Sequence, residues 1–299
     1  VDWQLAVSVR PTPIPPSGTP ITGVTVRINE QAGVSAAVAQ GNNASTFSAL
    51  DTTTMGSWKP LHDSDTELDL GALNSNADPS NQFAFGWGKY DNSSHNVVGD
   101  SVYVITMPDS SKRKLLIQTL ALDTAYDIIY SNLDNSNPRS FHISKAKYAD
   151  YNFIYLDLKN YAIKIKEPKK TDWDILFTRY TATDVPSLPF YKTVGVWLNK
   201  NTTAAKVTGP TASTSDDFSG LTFSSALNAI GWDWKSFDGT YHIPDTISYF
   251  IRSQNTNRYH LTFTGFSGAA TGAIAFHKSA ALPYGVGIAD VADDNSVSV

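Results

Sequence analysis

Hydrophobic and polar residues alternate with a period of two in short runs along the chain. Side chains of a β-strand point alternately to opposite faces, so this pattern predicts half-buried antiparallel strands. Clusters of Asn, Asp, Ser, Gly and Pro separate the runs and predict turns. Only residues 223–230 show a weak helical pattern. The clearest predicted strands are Val24–Ile28, Ser101–Ile105, Tyr151–Tyr155, Asp174–Phe177, Ile247–Ile251 and Tyr259–Phe263.

The composition supports a mostly β chain and excludes several classes of protein. Only three of the 28 acidic residues are Glu and only two residues are Met, so two good helix formers are scarce. The absence of Cys excludes disulfides and thiolate metal sites. A formal charge of -5, with acidic residues interrupting the basic cluster at 164–170, argues against a nucleic-acid partner. No apolar run approaches the roughly 20 residues that a membrane span needs.

A long internal repeat indicates that the chain contains two related β units. Asp2-Trp3 is similar to Asp172-Trp173, and three later elements of the first half recur in the same order in the second half. We therefore predict an all-β, sandwich-type fold with units at residues 1–140 and 141–283 and a tail at 284–299. The recurring pairs are Gly86–Tyr90 with Gly231–Lys235, His95 with His242, and Asp100–Ile105 with Asp245–Ile251.

The two units differ in what precedes their Asp-Trp strands. Residues 141–170 are strand-like and precede Asp172-Trp173, whereas Asp2-Trp3 stands at the start of the sequence. We expect residues 141–170 to form the opening hairpin of the second unit. The corresponding hairpin of the first unit would then lie before Val1.

Three segments resemble the HmuY-like family of Bacteroidota surface proteins: Thr171–Tyr180, Tyr259–Gly268 and Thr271–Phe276. The resemblance is strongest over residues 141–278. It implies an all-β fold and, as in the lipoprotein members of that family, non-enzymatic capture of haem between axial side chains. Residues 290–299 resemble the linker before a type IX secretion sorting domain, which implies export to the outer-membrane surface or the extracellular medium.

Two histidines are the preferred candidates for axial haem ligands. His62 and His95 lie in loop-like sequence close to aromatic residues, of which Trp87 and Tyr90 are the expected lining of the site. His142 and His260 fall within strand patterns, where a structural role is more typical. His242 is the repeat partner of His95, so a structural role shared by both units is an alternative for that pair.

Other chemical motifs are weaker. Asp172 and Asp174 could be an acid and base pair, but carboxylates on an exposed strand usually remain solvated. The acidic run 63–69 alternates oxygen ligands in a way that could hold calcium, yet it lacks the glycine and the terminal glutamate of an EF-hand loop. The sequence shows no constellation typical of a hydrolase, a phosphate loop or a dinucleotide site, so we expect no enzymatic activity and no resident metal.

Two functions remain open at this stage. The first is a secreted or cell-surface binding protein that captures haem or another flat hydrophobic ligand. The second is a structural or adhesive surface protein that assembles, through its β units, with copies of itself or with other surface proteins.

Overall fold

The computed structural model describes residues 2–12 and 23–281 of the chain, and it confirms the all-β prediction. Each of the six predicted strands overlaps an observed strand. The chain divides into two compact units: unit 1 comprises Val1–Ser64 and Asp69–Lys170, and unit 2 comprises Asp65–Leu68 and Thr171–Val299. Among the described residues, no helix has the length and apolar character that crossing a membrane would require.

Unit 1 contains two antiparallel sheets. One has the strand order β12-β11-β1-β2, and the other has the order β10-β9-β8-β7-β3-β4 with the β5–β6 hairpin attached to β8. Five short 3₁₀ helices lie between strands, at Glu30–Ala32, Ala44–Ala49, Met55–Ser57, Ala72–Asn74 and Ala146–Tyr148. The strands are β1 (Leu5–Ser8), β2 (Val26–Ile28), β3 (Ser35–Val38), β4 (Pro60–Leu61), β5 (Gly88–Asp91), β6 (Asn96–Gly99), β7 (Val102–Thr106), β8 (Lys112–Ala121), β9 (Ala125–Ser131), β10 (Arg139–Ser144), β11 (Phe153–Asp157) and β12 (Ala162–Lys164).

The core of unit 1 lies between its two sheets, as in a β-sandwich. Leu5 and Val7 of the first sheet share one cluster with Tyr103, Leu115 and Ile128 of the second, and all five are fully buried. Burial of a side chain of this size stabilises the folded state by about 2 kcal/mol. The alternation seen in the sequence therefore places the apolar face of each strand in this shared core.

Unit 2 is a smaller version of the same arrangement. A four-stranded sheet of order β15-β18-β19-β20 and a two-stranded sheet β13-β14 enclose a core that includes Val196, Trp234, Tyr249 and Leu261. A further short hairpin, β16-β17, forms a sheet of its own. The strands are β13 (Ile175–Ala182), β14 (Tyr191–Leu198), β15 (Thr203–Thr208), β16 (Ser236–Phe237), β17 (Tyr241–His242), β18 (Ile247–Arg252), β19 (Arg258–Phe266) and β20 (Ile274–Ala280).

The Asp-Trp element has a defined place in unit 1. Leu5, two residues after Trp3, pairs with Ile28 across β1 and β2. Asn29 follows directly, and its side-chain amide donates to the carbonyl of Trp3 at 3.2 Å. The polar end of β2 is thereby fixed to the entry of β1.

Unit 2 repeats this element in the same register. Ile175, two residues after Trp173, pairs with Leu198 across β13 and β14. Asn199 follows, and its side-chain amide donates to the carbonyl of Trp173 at 2.7 Å. The later strands also correspond, because β7-β8-β9 in unit 1 and β18-β19-β20 in unit 2 are consecutive antiparallel strands. The duplication read from the sequence is therefore visible in the strand pairing of each unit.

The Gly-Trp repeat corresponds less closely. Gly86 and Gly231 both have a positive backbone φ, 84° and 66° respectively. Residues other than glycine rarely adopt this conformation. Trp87 is fully buried, but its expected partner Trp232 is partly exposed. The buried tryptophan of unit 2 is Trp234, two positions later.

The observed boundary between the units differs from the expected one. It falls between Lys170 and Thr171 instead of between residues 140 and 141. The reason is strand pairing: β10 pairs with β9, and β11 pairs with β1, so residues 141–170 belong to unit 1 and do not open unit 2. The expected tail at 284–299 lies outside the described residues. The helix suggested by the weak pattern at 223–230 does not form, because this segment contains turns and a single bridge at Ser224.

Asn74 connects β2 with the segment that precedes β5. Its side-chain oxygen accepts from the amide of Val26 at 2.8 Å, and its amide donates to the carbonyls of Val24 (3.2 Å) and Phe85 (2.9 Å). Asn74 is buried, so these backbone groups have no access to water as a substitute partner. One side chain thus satisfies three buried backbone groups.

We expect the Asn74→Ala substitution to lower the free energy of unfolding of unit 1 by about 2 to 4 kcal/mol, because it removes the partner of the buried Val26 amide and of the buried Phe85 carbonyl. The Val24 carbonyl keeps its hydrogen bond from the indole nitrogen of Trp87. Urea denaturation checks this value. The matched control is Asn92→Ala on the exposed turn of the β5–β6 hairpin, which should change stability by less than about 0.5 kcal/mol. Equal stability of the two variants would contradict the role assigned to Asn74.

Glu167 makes unit 1 sensitive to pH. Its Oε1 accepts from the amides of Asn152 (2.6 Å) and Phe153 (2.7 Å) at the start of β11. Burial raises the pKa of Glu167 to about 7 from its ordinary 4.5, although these two donors and Arg10 act in the opposite direction. The folded state therefore holds this proton more tightly than the unfolded chain does.

The free energy of unfolding should consequently fall as pH rises from 4.5 through 7, and the contribution of Glu167 should be about 2 kcal/mol smaller at pH 8 than at pH 5. The Glu167→Gln variant keeps the acceptor oxygen but cannot titrate. Urea denaturation at both pH values should show a smaller difference for this variant. An identical difference in the two proteins would rule out Glu167 as its source.

Candidate binding site

His62 lies directly after β4 and contacts an acidic side chain. Its Nδ1 is 2.6 Å from Oε1 of Glu30, which lies in the first 3₁₀ helix, and the His62 side chain is 29% exposed. This contact connects two neighbouring segments of unit 1. It orients the imidazole towards Glu30 and gives His62 a local structural role.

His95 and Tyr90 do come together, as the sequence suggested. They belong to the β5–β6 hairpin, where the Tyr90 hydroxyl lies 2.8 Å from Nδ1 of His95 and His95 has a positive φ of 58°. His242, the repeat partner, also makes contacts inside its own hairpin, with Asp238 at 2.8 Å and Thr240 at 3.0 Å. Both histidines therefore stabilise a hairpin turn.

Trp87 is a core residue. Its side chain is fully buried, and its indole nitrogen donates to the carbonyl of Val24 at 2.8 Å. The ring packs beside Tyr126, with 6.0 Å between the ring centroids. No surface of Trp87 is available to a ligand, so its expected place in the lining of a haem site is not supported by its position.

These positions do not fit a haem site. Axial ligation needs side chains on opposite walls of an apolar cavity. His62 and His95 belong to separate elements, each is hydrogen-bonded at Nδ1, and Trp87 lies in the core. Within residues 2–12 and 23–281, no cluster of three or more His, Asp or Glu side chains has the arrangement of a metal site either.

The candidate binding site is a cleft in unit 2, on the face of β19 and β20 that points away from the core. It is open to solvent and has a volume of about 520 Å³. Residues at alternate positions of β19 line it, together with the residues paired with them on β20, because Ser279 pairs with His260 and His277 pairs with Thr262. The full lining is Ser213, Thr214, Asp216, Ile243, Asp245, His260, Thr262, Phe263, Thr264, His277 and Ser279.

His260 fixes one wall of the cleft. Only 5% of its side chain is exposed, and its ring stacks on Phe250 with 4.6 Å between centroids. Its Nε2 donates to the carbonyl of Ala212 at 3.0 Å, and its Nδ1 lies 3.0 Å from Asp216. Both ring nitrogens are therefore engaged in contacts within unit 2. His260 thereby holds the loop around Ala212 against the sheet.

The cleft presents hydroxyl groups and carboxylates beside apolar surface that includes Ile243 and Phe263. Five of the lining residues are Ser or Thr, and the two carboxylates belong to Asp216 and Asp245. Asp216 is paired with His260, and its side chain is 57% exposed. The Asp245 residue is also exposed. Such a surface offers alternating hydrogen-bond donors and acceptors, with no excess of positive charge.

An exposed aromatic pair lies close to the cleft in the sequence. Phe237 is 65% exposed and Tyr241 is 38% exposed, with 4.9 Å between their ring centroids. Tyr241 also contacts Phe266 edge-on at 4.7 Å. Tyr241 is two residues before the cleft residue Ile243, and Phe266 is two residues after Thr264, a distance of about 7 Å along a strand.

The other acidic motifs serve the fold. Within unit 2, Asp65 accepts from the amide and the hydroxyl of Thr183, both at 2.9 Å, and Asp174 accepts from Thr202 at 3.0 Å. In unit 1, Asp63 accepts from the amide of Ala72 at 2.7 Å. These contacts give Asp63, Asp65 and Asp174 structural roles, whereas Asp172 is exposed.

Sequence reasoning assigned His260 correctly to a strand but missed the cleft beside it. The available signal was the polar face formed by His260, Thr262 and Thr264 on one predicted strand. The opposite wall comes from residues 212–216, whose turn-rich sequence gives no indication of what it packs against.

We expect haemin titration to show no histidine-dependent binding at His62 and His95, because those side chains do not share a cavity. The measurement is the Soret absorbance of the full chain and of the His62→Ala/His95→Ala double variant at micromolar protein. The two titrations should superimpose. A Soret shift that the double variant abolishes, and that a His142→Ala control retains, would restore the haem hypothesis.

Comparison of the chain with protein-family models, with curated proteins and with solved structures finds no match in any of the three. The HmuY-like resemblance therefore stays a prediction that rests on the segments described above. Function has to be inferred from the chemistry of the cleft and of the strand edges.

Proposed function

We propose that the protein acts by binding and not by catalysis, in the extracellular medium or at the outer-membrane surface. The observation that carries the proposal is the open cleft on β19 and β20, which is built on a rigid sheet with one wall fixed by His260. The HmuY-like resemblance supports an exported binding protein. A histidine whose two nitrogens both contact acceptors is suited to positioning a wall and poorly suited to accepting a substrate proton.

The chemistry of the lining favours a neutral, hydroxyl-rich ligand such as a saccharide. The hydroxyls of Thr262, Thr264 and Ser279 can each donate and accept, and the carboxylates accept from ligand hydroxyls. Asp216 and Asp245 disfavour an anionic ligand. A flat hydrophobic ligand would bury the hydroxyls and carboxylates of the lining without giving them hydrogen-bond partners, which is costly.

The exposed aromatic pair of unit 2 offers a second surface that suits a saccharide. The C–H faces of a sugar ring pack on aromatic rings. Phe237 and Tyr241 are exposed to solvent and are therefore available for such a contact. The ligand class that uses both features is a neutral oligosaccharide.

The experiment is a screen of neutral oligosaccharides against the full chain, followed by calorimetric titration of the strongest binder. We expect Asp245→Ala to weaken binding at least about tenfold, since loss of one hydrogen bond to a charged group costs about 1.5 kcal/mol or more. His277→Ala should weaken binding by about fivefold, since loss of an ordinary hydrogen bond costs about 1 kcal/mol. Both residues are exposed, so the fold should be retained.

The matched control is Asp172→Ala, an exposed acidic residue of unit 2 outside the cleft. It should bind like the unmodified chain. Absence of binding to every neutral oligosaccharide in the screen would contradict the ligand class. Binding that Asp245→Ala, His277→Ala and Asp172→Ala leave equally strong would contradict the location of the site.

A further inference from the structure

The first strand of unit 1 is enclosed on both edges. β1 pairs with β2 on one side and with β11 on the other, and Leu5 has partners in both strands. The amide of Gln4 donates to the carbonyl of Leu156 in β11 at 2.8 Å. Trp3 packs edge-on against Tyr155 of β11 with 4.9 Å between ring centroids. All four residues of β1 are buried.

The equivalent strand of unit 2 has one neighbour only. Among the described residues, β13 pairs with β14 and with no second strand. The amide of Asp174, which corresponds to that of Gln4, has no backbone acceptor in the described part of the chain. The buried indole nitrogen of Trp173, which corresponds to Trp3, also has no hydrogen-bond partner there.

The sequence of β13 is that of an enclosed strand. Ile175, Leu176 and Phe177 are consecutive apolar residues, a pattern typical of strands buried on both faces. In the structure Leu176 is 42% exposed, and its neighbours Ile175 and Phe177 are only partly buried. The apolar run at 175–177 lies within the part of β13 whose outer edge is open, 175–179.

We infer that the outer edge of β13 at residues 175–179 is a docking site for an extended segment of another polypeptide, which adds to unit 2 as β11 adds to β1 in unit 1. Added strands of this kind bind through backbone hydrogen bonds, and pockets for alternate side chains give specificity. This inference does not depend on the ligand proposed for the cleft.

The strand that pairs with β1 in unit 1 indicates the chemistry of the partner of β13. The segment that fills the equivalent edge is Phe153–Asp157, with Phe-Ile-Tyr-Leu-Asp as its sequence and with Tyr155 placed against Trp3. The partner of β13 should therefore be an extended strand of consecutive apolar residues that places an aromatic ring against Trp173. Open strand edges of this length are usually protected in monomeric proteins, which makes an exposed apolar edge a sign of a missing partner.

The test uses the full chain and a synthetic peptide of residues 151–164, which contains the β11–β12 hairpin. The readout is amide hydrogen exchange followed by mass spectrometry. We expect saturating peptide to slow exchange about tenfold or more at the outward-facing amides of Ile175, Phe177 and Arg179. Exchange in β1 should not change, because the covalently attached hairpin of unit 1 outcompetes free peptide there.

Two controls separate strand addition from non-specific adhesion. A peptide with proline at the positions of Ile154 and Leu156 lacks the N–H groups of a ladder and should give no protection. On the protein, Leu176→Lys should weaken peptide binding about tenfold, whereas Leu188→Lys, at a residue that is 50% exposed elsewhere in unit 2, should not.

The inference is overturned if the peptide gives no protection at β13, or if Leu176→Lys and Leu188→Lys bind it equally. It is also overturned if the peptide-free chain is a dimer in which these amides are already protected, since the occupant would then be a second copy. Variants in the cleft, such as His277→Ala, should leave peptide binding unchanged, so failure here is distinct from failure of saccharide binding.

Discussion

The backbone N–H and C=O groups along each strand edge need partners, and much of this structure follows from that requirement. The outer edge of β2 in unit 1 is bound by side-chain oxygens, those of Asn74 and Asp63. The outer edge of β14, its counterpart in unit 2, is bound by the main-chain carbonyls of Gly231 and Leu227. Two different sets of atoms therefore satisfy equivalent amides in the two units.

This difference shows which parts of the duplicated unit are free to diverge. The register of the first two strands is kept, because a shift by one residue would turn every apolar side chain to the opposite face. The groups that cover the edges are not kept, since any well-placed oxygen can accept from an amide. Coverage of β1 by β11 in unit 1, with no described counterpart on β13, is the largest such difference. Unit 2 is therefore the unit in which the outer edge of this strand, β13, is open to a partner.

The sequence alone predicted the strands and the repeat, because both depend on local periodicity and on short motifs. It could not predict the unit boundary: residues 141–170 have the same alternation whether they pair with β1 or with a strand of unit 2, and only long-range pairing decides. It also placed Trp87 near a ligand, since an aromatic residue beside loop sequence does not reveal its burial. The cleft depends on residues 212–216 folding over β19, which is a tertiary contact without a local signal.

The histidines explain why binding in this protein should rest on hydroxyls and backbone edges. His142 contacts Asp127 at 2.7 Å, and His62, His95, His242 and His260 each contact an acidic, hydroxyl or carbonyl oxygen of their own unit. An imidazole held in this way loses a local contact whenever it turns towards a ligand, and that loss reduces its net contribution to binding. The hydroxyls of Thr262 and Thr264 in the cleft make no hydrogen bond with the described part of the chain, and the outer edge of β13 has no neighbouring strand there. A partner can therefore bind these groups without breaking a hydrogen bond inside the protein.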